Sequence, residues 1–583
     1  MGSGVNKKIQ PVVWRLKAQP ESQQVQGFKA ELGGRVDDLI IRLLLQRGVQ
    51  TFDQAKTFFN PALGDLHNPF LMKGMNCAVD RILQALEKGE SILIYGDYDV
   101  DGTTAVALVY RFLSRYCDRV SHYIPDRHKE GYGLSKAGID FAWDNGFSLL
   151  IALDCGTKAI DKVRYAREKS IDMIICDHHT PGETLPRAVA VLNPKQSGDA
   201  YPYRELSGCG VGFKLVQALA TRLSRAKEEV FGYLDLVAIS IAADIVPITG
   251  ENRILMHFGL QNINDNPCTG VQALMRFSEK ERFAVRDLVF VLAPRINAAG
   301  RMDHGSLAVD LLTETHPEKA RDLASRIDLY NRYRRDLDQR TKAAAIAQIF
   351  DRKEESRMSN VVFSPDWHKG VIGIVASKIV EERYKPTVVF TESDGRLVAS
   401  ARSVPGFDLY EALAACSDEM LQFGGHRQAA GLTIAPSKYE RFKQKFESVV
   451  STRITADQKI PILWADAEIK LRDIHQKQYR ALARFAPFGP GNERPVFWTK
   501  GLKAGGRTKR VGQAGAHLKL QVFEPDSAVF YPGIAFGQGD WFEKVRDGRD
   551  FDLLYSIELN AYDGTNHLQL VIRDIKRSDE TAG

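Results

Sequence analysis

From about Glu90, short runs that are apolar at every position alternate with helix-patterned stretches, and this alternation constrains the fold more than any other feature of the chain. Ile92-Leu93-Ile94-Tyr95 is the first run, Ser148 to Leu153 the second, Asp172 to Cys176 the third, and Ala188 to Leu192 follows. A strand buried on both faces reads as an unbroken apolar run, whereas a strand with one wet face alternates. Helical patterns lie between, from Thr104 to Leu113 and from about Ala159. The spacing predicts βαβ units around a buried parallel sheet. Such sheets bind ligands beyond the carboxyl ends of their strands, so the residues after each run are where chemistry is sought.

Those residues share one chemistry. The first run leads into Gly96-Asp97-Tyr98-Asp99-Val100-Asp101-Gly102, the second into Asp154-Cys155-Gly156, and the third into Asp177-His178-His179. The apolar run Val237 to Ala243, read as a further strand, ends in Asp244-Ile245-Val246-Pro247. A single Asp after a strand serves as a turn or cap residue. Four such ends on one sheet edge bring together carboxylates that repel, and imply a cation. Asp97-x-Asp99-x-Asp101-Gly102 also opens like an EF-hand loop, but Leu108 stands where that loop needs a bidentate Glu.

Oxygen donors with imidazole and no thiolate favour Mn²⁺ or Mg²⁺, and the histidine tilts the choice to Mn²⁺. Asp97, Asp99, Asp101, Asp154, His178 and Asp244 suffice for two ions, an arrangement that clamps a phosphodiester. Neighbouring strand residues point to opposite faces. His178 and His179 are therefore expected to divide the work, one ligating, the other orienting or meeting the phosphate.

Composition narrows the class further. A chain of 583 residues exceeds one core and suggests three or four domains. With 44% hydrophobic and 26% charged residues it is an ordinary globular chain, not a disordered tail. A net charge of +6 tolerates phosphates without demanding them. The cysteines are odd in number and never spaced C-x-x-C, which excludes a disulfide framework and points to free thiols in a reducing compartment. No early segment joins basic residues to a long apolar run, so neither secretion nor membrane spanning is expected, and the cytoplasm is the expected location. Met1-Gly2-Ser3-Gly4 reads as a cloning remnant.

The strand-end motifs resemble the DHH phosphoesterase family, named for the tripeptide found here as Asp177-His178-His179. The likeness extends to Gly96 through Thr104, Asp154-Cys155-Gly156 and Ala243 through Pro247. It implies that Asp97, Asp99, Asp101, Asp154, His178 and Asp244 are metal ligands, with Asp154 the bridge, and that His179 meets phosphate or supports a ligand. Asp154, His178 and His179 are thereby the catalytic candidates. Pro125-Asp126-Arg127, Glu130 through Leu134, Pro294 through Arg301, Trp367 through Gly373 and Phe423-Gly424-Gly425-His426 resemble the RecJ-type single-strand exonucleases within that family.

That resemblance spans nearly the whole chain from about residue 36, and with the pattern of the residues it implies an α/β architecture in parts. Residues 1–80 form a partly helical extension, 81–314 the parallel-sheet DHH catalytic domain, 315–355 a connecting helix, and 356–460 a smaller α/β DHH-associated domain. Residues 461–583 form an oligonucleotide-binding β-barrel, in keeping with alternating runs such as His517 to Val522 and His567 to Ile572 between Gly and Pro turns. Ser578 to Gly583 is predicted disordered.

Arg127, Arg301 and Arg402 are candidate holders of the DNA backbone or a terminal phosphate, with a surface salt bridge as the alternative for each. His426, after two glycines, is a candidate phosphate contact or a buried hydrogen-bonded histidine. Lys503, Arg507, Lys509 and Arg510 near Phe523, Phe530 and Tyr531 suit single-strand stacking, or form a solvated face. The function expected is release of mononucleotides from single-stranded DNA, 5′ to 3′ by resemblance, in repair and recombination. The alternatives are a phosphodiesterase of dinucleotides, cyclic dinucleotides or short RNA, and a catalytically silent scaffold. Single-stranded DNA, a single-stranded-DNA-binding protein and no membrane are the expected partners, and a monomer the expected state.

Overall fold

The computed structural model describes residues 12–127, 129–562 and 565–580. Met1 to Gly4, read from sequence as a cloning remnant, lies outside them. The chain divides into two compact units, one holding His67–Asp244 and Gly259–Pro461, the other Val13–Leu66, Ile245–Phe258 and Ile462–Gly583.

In the first unit, five parallel strands build the sheet that the apolar runs predict. They are β1 (Ile92–Gly96), β2 (Val120–Tyr123), β3 (Leu149–Leu153), β4 (Asp172–Cys176) and β5 (Ala190–Leu192), in the order β2-β1-β3-β4-β5. Every residue of β1 and β3 is buried, so both faces of the central strands are covered. The strand order reverses between β1 and β3, the position at which doubly wound sheets open a crevice at their carboxyl edge. Asp97 follows β1 there, and Asp154 follows β3. β2 gives little sequence signal because it is an edge strand with only Val120 buried.

Helices α1 (Val100–Leu113), α2 (Gly208–Arg222) and α3 (Leu234–Ala243) pack against one another. The last of these corrects the sequence reading. The run Val237 to Ala243 is helical, and Asp244 caps that helix, its N–H bonded to Ser240 O at 2.9 Å. An apolar run alone does not separate a buried strand from a buried helix. A helix, α4, then spans Pro317–Asp351 where a connecting helix is predicted. Beyond it a mixed five-stranded sheet, from Asn360–Phe363 to Ala429–Ile434, closes over a separate core that includes Phe390, Phe442 and Phe446.

The second unit is built on a seven-stranded sheet. Phe497–Ala504 pairs with Phe551–Tyr562 and also with His517–Phe523, which closes the sheet into the predicted barrel. Helices Ser22–Glu31, Asp38–Leu45 and Phe52–Phe59 share its core, where Ile41 and Leu44 join Phe485, Phe497 and Tyr555. Ser578–Glu580 forms a 3₁₀ turn where disorder is predicted, because strand Thr565–Arg577 runs directly into it and Ser578 Oγ donates to Asp552 Oδ1 at 2.5 Å.

Gly102 shows how closely α1 approaches the end of β1. A Cβ there would lie 2.4 Å from the Asp97 carbonyl oxygen and 2.7 Å from its nitrogen, both backbone atoms unable to swing away. Gly102→Ala is therefore expected to destabilise the protein by on the order of 1–3 kcal/mol, read as a lowered Tm. An unchanged Tm would contradict this packing.

Candidate metal and phosphate site

Local structure fixes each acidic side chain. Asp99 caps α1, accepting from Gly102 N at 3.0 Å. Asp101 is held by the start of α2: Gly208 N and Cys209 N donate to its two oxygens at 2.7 Å each, and Ser240 Oγ donates at 2.6 Å. A helix N-terminus is a ready-made anion site, here filled by the chain's own carboxylate. Asp154 sits at φ 59°, a left-handed conformation that a non-glycine residue keeps only under constraint. A Cβ on Gly208 would lie 2.5 Å from Asp154 Oδ1, so only glycine admits that carboxylate.

His178 stands at the centre. Its Nε2 lies 3.2 Å from Asp154 Oδ1 and 3.6 Å from both Asp101 Oδ2 and Asp244 Oδ2. Burial holds its pKa below the usual histidine value, which keeps the ring neutral, the form that ligates metals. Two sets of ligand atoms converge here, Asp101 with His178 and Asp244, and Asp154 with His178 and His179. Asp97 and Asp99 border these sets without joining either; Asp97 Oδ1 accepts a long bond from Gly133 N at 3.4 Å.

Asp177, to which the sequence reading gives no role, organises the two histidines. Its Oδ1 accepts from His178 N and His179 N, and lies 2.8 Å from His179 Nδ1, while Oδ2 accepts from Thr157 N. Burial alone would raise the Asp177 pKa, but the His179 bond and charge, together with the backbone N–H bonds of Thr157 and His179, outweigh it and hold the group below the carboxylate range. Conversely, burial would lower the His179 pKa, but the Asp177 bond and charge, with the charges of Asp244 and Asp101, hold it above the ordinary histidine value. Tyr132 Oη lies 3.2 Å from His179 Nε2, also unforeseen. The expected opposition of the two rings does not hold: their centroids are 4.6 Å apart. The tripeptide lies past Cys176, the last residue of β4, where strand alternation no longer applies.

The donor set fits a divalent cation. Asp97 Oδ2, Asp154 Oδ1 and both ring nitrogens of His178 are buried and make no hydrogen bond. Such atoms are costly unless something else satisfies them. Burial raises the Asp154 pKa well above its usual value, with Asp101 and Asp99 adding to it.

Next to the acids stands a group of guanidiniums. Arg127 lies 4.6 Å over the Tyr98 ring. Arg301 donates to Gly370 O at 3.1 Å, and its pKa is pushed down to about 9 by burial and then by Arg127, Arg334 and Arg402. Arg402 donates to Ser400 Oγ at 2.9 Å, and its pKa is lowered by burial and by Arg127. Arg334, on α4, gave no motif signal, and its buried Nε makes no hydrogen bond. Cations this close favour an anion between them. His426 is exposed in the turn before Ala429–Ile434; its N–H bonds to Ala429 O, and Ala429 is the register partner of Arg402. In the barrel, Lys503 is paired with Asp550 at 2.7 Å and Arg510 donates to Gly539 O at 3.1 Å. Arg507, Lys509 and Phe530 remain exposed there.

The fold and this site define a metal-dependent phosphoesterase of the DHH type, and comparison with known proteins agrees. The DHH family N-terminal domain matches residues 91–241, the DHHA1 domain residues 356–452 and the RecJ OB domain residues 465–574. The single-stranded-DNA-specific exonuclease RecJ of Bacillus subtilis is 33% identical over 570 residues, 97% of this chain and 71% of that protein. The Escherichia coli protein of that name is 31% identical over 568 residues, 94% and 97% of the two chains. The crystal structure of RecJ from Thermus thermophilus in complex with Mn²⁺ superposes with a TM-score of 0.83 at 26% identity, covering 97% of this chain and 80% of that one. The chain belongs to the RecJ family. A divalent metal is its cofactor. No helix among the described residues is long and apolar enough to cross a membrane.

Stability should report the metal. Without it, burial first and then Asp99 push the Asp97 pKa up to about 8, and burial with Asp101 does the same for Asp244. A carboxyl whose folded pKa is raised stabilises fully below its unfolded value of about 4 and loses that contribution as pH rises through about 8. Cation binding requires the deprotonated form. Mn²⁺ is therefore expected to raise Tm more at about pH 8.5 than at about pH 6. Thermal unfolding in chelator and in Mn²⁺ measures the shift; a shift independent of pH would contradict the cluster as the binding site.

Proposed function

We infer that this chain is a metal-dependent exonuclease of single-stranded DNA, acting 5′ to 3′ and releasing mononucleotides in DNA repair and recombination. The convergence of Asp101, Asp154 and Asp244 on His178 beside the arginine group carries the reading. Asp97, Asp99, Asp101, Asp154, His178 and Asp244 would hold two ions, Mn²⁺ or Mg²⁺, with Asp154 shared. Bound there, the ions would offset the charge that develops on the phosphodiester and at the leaving oxygen.

The chain's own residues do the rest. Asp177 fixes the His179 ring, leaving it half-exposed toward incoming phosphate. Arg127, Arg301 and Arg402 orient the terminal phosphate or the adjoining backbone, and His426 at the same sheet edge is a further phosphate contact. Exposed Arg507, Lys509 and Phe530 on the barrel would track the strand by charge and stacking. A single-stranded-DNA-binding protein is the proposed protein partner, the monomer the proposed state and the cytoplasm the proposed location. The dinucleotide phosphodiesterase alternative is disfavoured by the barrel, since a two-nucleotide substrate needs no track.

Asp154→Ala should cut hydrolysis by on the order of 10³ or more, because several kcal/mol of transition-state stabilisation depend on the metals. DNA binding and folding should persist. Activity within a few-fold of the parent in Mn²⁺ would contradict the assignment.

Length dependence is the second test. Stacking contributes about 1–3 kcal/mol per base, so kcat/KM should be higher on a strand of about 20 nucleotides than on a dinucleotide, and low on blunt duplex. A preference for the dinucleotide, measured under identical Mn²⁺ and salt, would overturn the exonuclease reading.

A further inference from the structure

The segment after β5 brings to the metal edge a cation to which the hydrolytic site gives no task. Asn193 follows β5 directly and is fully buried. Its Nδ2 donates to Thr157 Oγ1 at 3.0 Å and to the His179 carbonyl oxygen at 2.9 Å, while its Oδ1 accepts from Lys195 N at 2.9 Å. An amide offers both the donors and the acceptor that this junction uses. One side chain thus ties together the loop after β3, the tripeptide after β4 and the segment that carries Lys195.

Lys195 itself is weakly engaged. Its Nζ lies 3.6 Å from Glu205 Oε2, beyond hydrogen-bonding distance, and that carboxylate is 46% exposed. A pair so long and so wet contributes little to the fold. The ammonium charge reaches the metal cluster instead: after burial and the nearer charges, Lys195 also lowers the proton affinity of His178 and of Asp244. A fixed cation beside a cation site opposes the metal, and the two are reconciled when an anion joins them.

The sheet order says which anion. Asp97, Asp154 and His178 follow the three inner strands β1, β3 and β4, whereas Arg127 follows the edge strand β2 and Lys195 the opposite edge strand β5. Arg127, with the arginines around it, and Lys195 therefore flank the metal ligands at the two ends of the carboxyl edge. A nucleic acid strand carries one charge per linkage. With its terminal phosphate at the arginines and its first internucleotide phosphate on the metals, it carries the second internucleotide phosphate towards Lys195. We propose that Lys195 binds this second internucleotide phosphate, on the 3′ side of the linkage that is cut. The proposal rests on the exonuclease reading and adds to it a contact that keeps the strand in register at the metals. A compact ammonium on a flexible stem suits the task, since it can leave Glu205 for a single phosphate oxygen.

The test pairs a change in the protein with a change in the DNA, using the full chain, Mn²⁺ and a 5′-phosphorylated strand of about 20 nucleotides. Lys195→Gln should lower kcat/KM about tenfold, and a neutral methylphosphonate at the second linkage should cost the parent a similar factor. The two together should cost no more than either alone, because they remove one contact. With the methylphosphonate moved to the fifth linkage, Lys195→Gln should again show its full loss. Lys195→Arg, which keeps the charge, should retain most of the parent's activity. In calorimetric titration without DNA, Lys195→Gln should bind Mn²⁺ more tightly than the parent, a gain that damage to the fold would not produce. Should Lys195→Gln fail to fold, Glu205→Gln carries the test: it releases the ammonium and should lower KM on the all-phosphate strand but not on the strand with the second linkage neutralised. Losses that multiply, or kcat/KM unchanged by Lys195→Gln, would overturn the proposal and leave the exonuclease reading standing. A parent that cuts no single strand would overturn that reading and this proposal with it.

Discussion

Three carboxylates, two of them buried and one half-buried, facing one neutral imidazole set the terms for the rest of the catalytic unit. Asp101, Asp154 and Asp244 approach His178 Nε2 within 3.6 Å, and desolvation with repulsion from neighbouring carboxylates disfavours the charged forms of Asp154 and Asp244. Nothing in such a cluster stabilises a fold by itself. It persists because its scaffold is over-determined: the N-terminus of α2 and Ser240 clamp Asp101, and Gly208 makes room for an Asp154 held in a left-handed conformation. Stability is spent locally to preorganise a cation site, the usual trade at catalytic centres.

The arginines present the complementary problem. Burial first, and then the neighbouring cations, lower the proton affinity of Arg301 and Arg402: Arg127 acts on both, and Arg334 from α4 and Arg402 add to the effect on Arg301. A cluster of acids and a cluster of guanidiniums within one unit is the charge pattern expected where an anionic substrate bridges metals and cations. Each half lowers the cost of the other only when the substrate is in place, which ties binding to the reacting geometry.

Much of this was legible in the chain, and the gaps have physical causes. The parallel sheet was readable because strands buried on both faces leave unbroken apolar runs, and the strand-end acids stood out against them. The run Val237 to Ala243 misled because a buried helix leaves the same trace, though Asp244 still reaches the cluster from a helix end. β2 escaped notice because only one of its residues is buried. Asp177 was in plain view within the motif, but its role depends on backbone bonds that no spacing rule encodes. Arg334 sits in a polar helix where any of several arginines would look alike, and only tertiary packing selects it. Lys503 and Arg510, readable as DNA contacts, also have partners within the barrel, Asp550 and the Gly539 carbonyl, which composition cannot reveal.

The account turns on whether the acidic cluster is a two-cation centre with Asp154 shared. Crystals of the full chain grown with Mn²⁺, measured at the manganese absorption edge, answer that directly. Two anomalous peaks are predicted, both in contact with the Asp154 carboxylate, with His178 and Asp244 among the remaining neighbours. A single peak, or manganese bound away from Asp154 and His178, would contradict it.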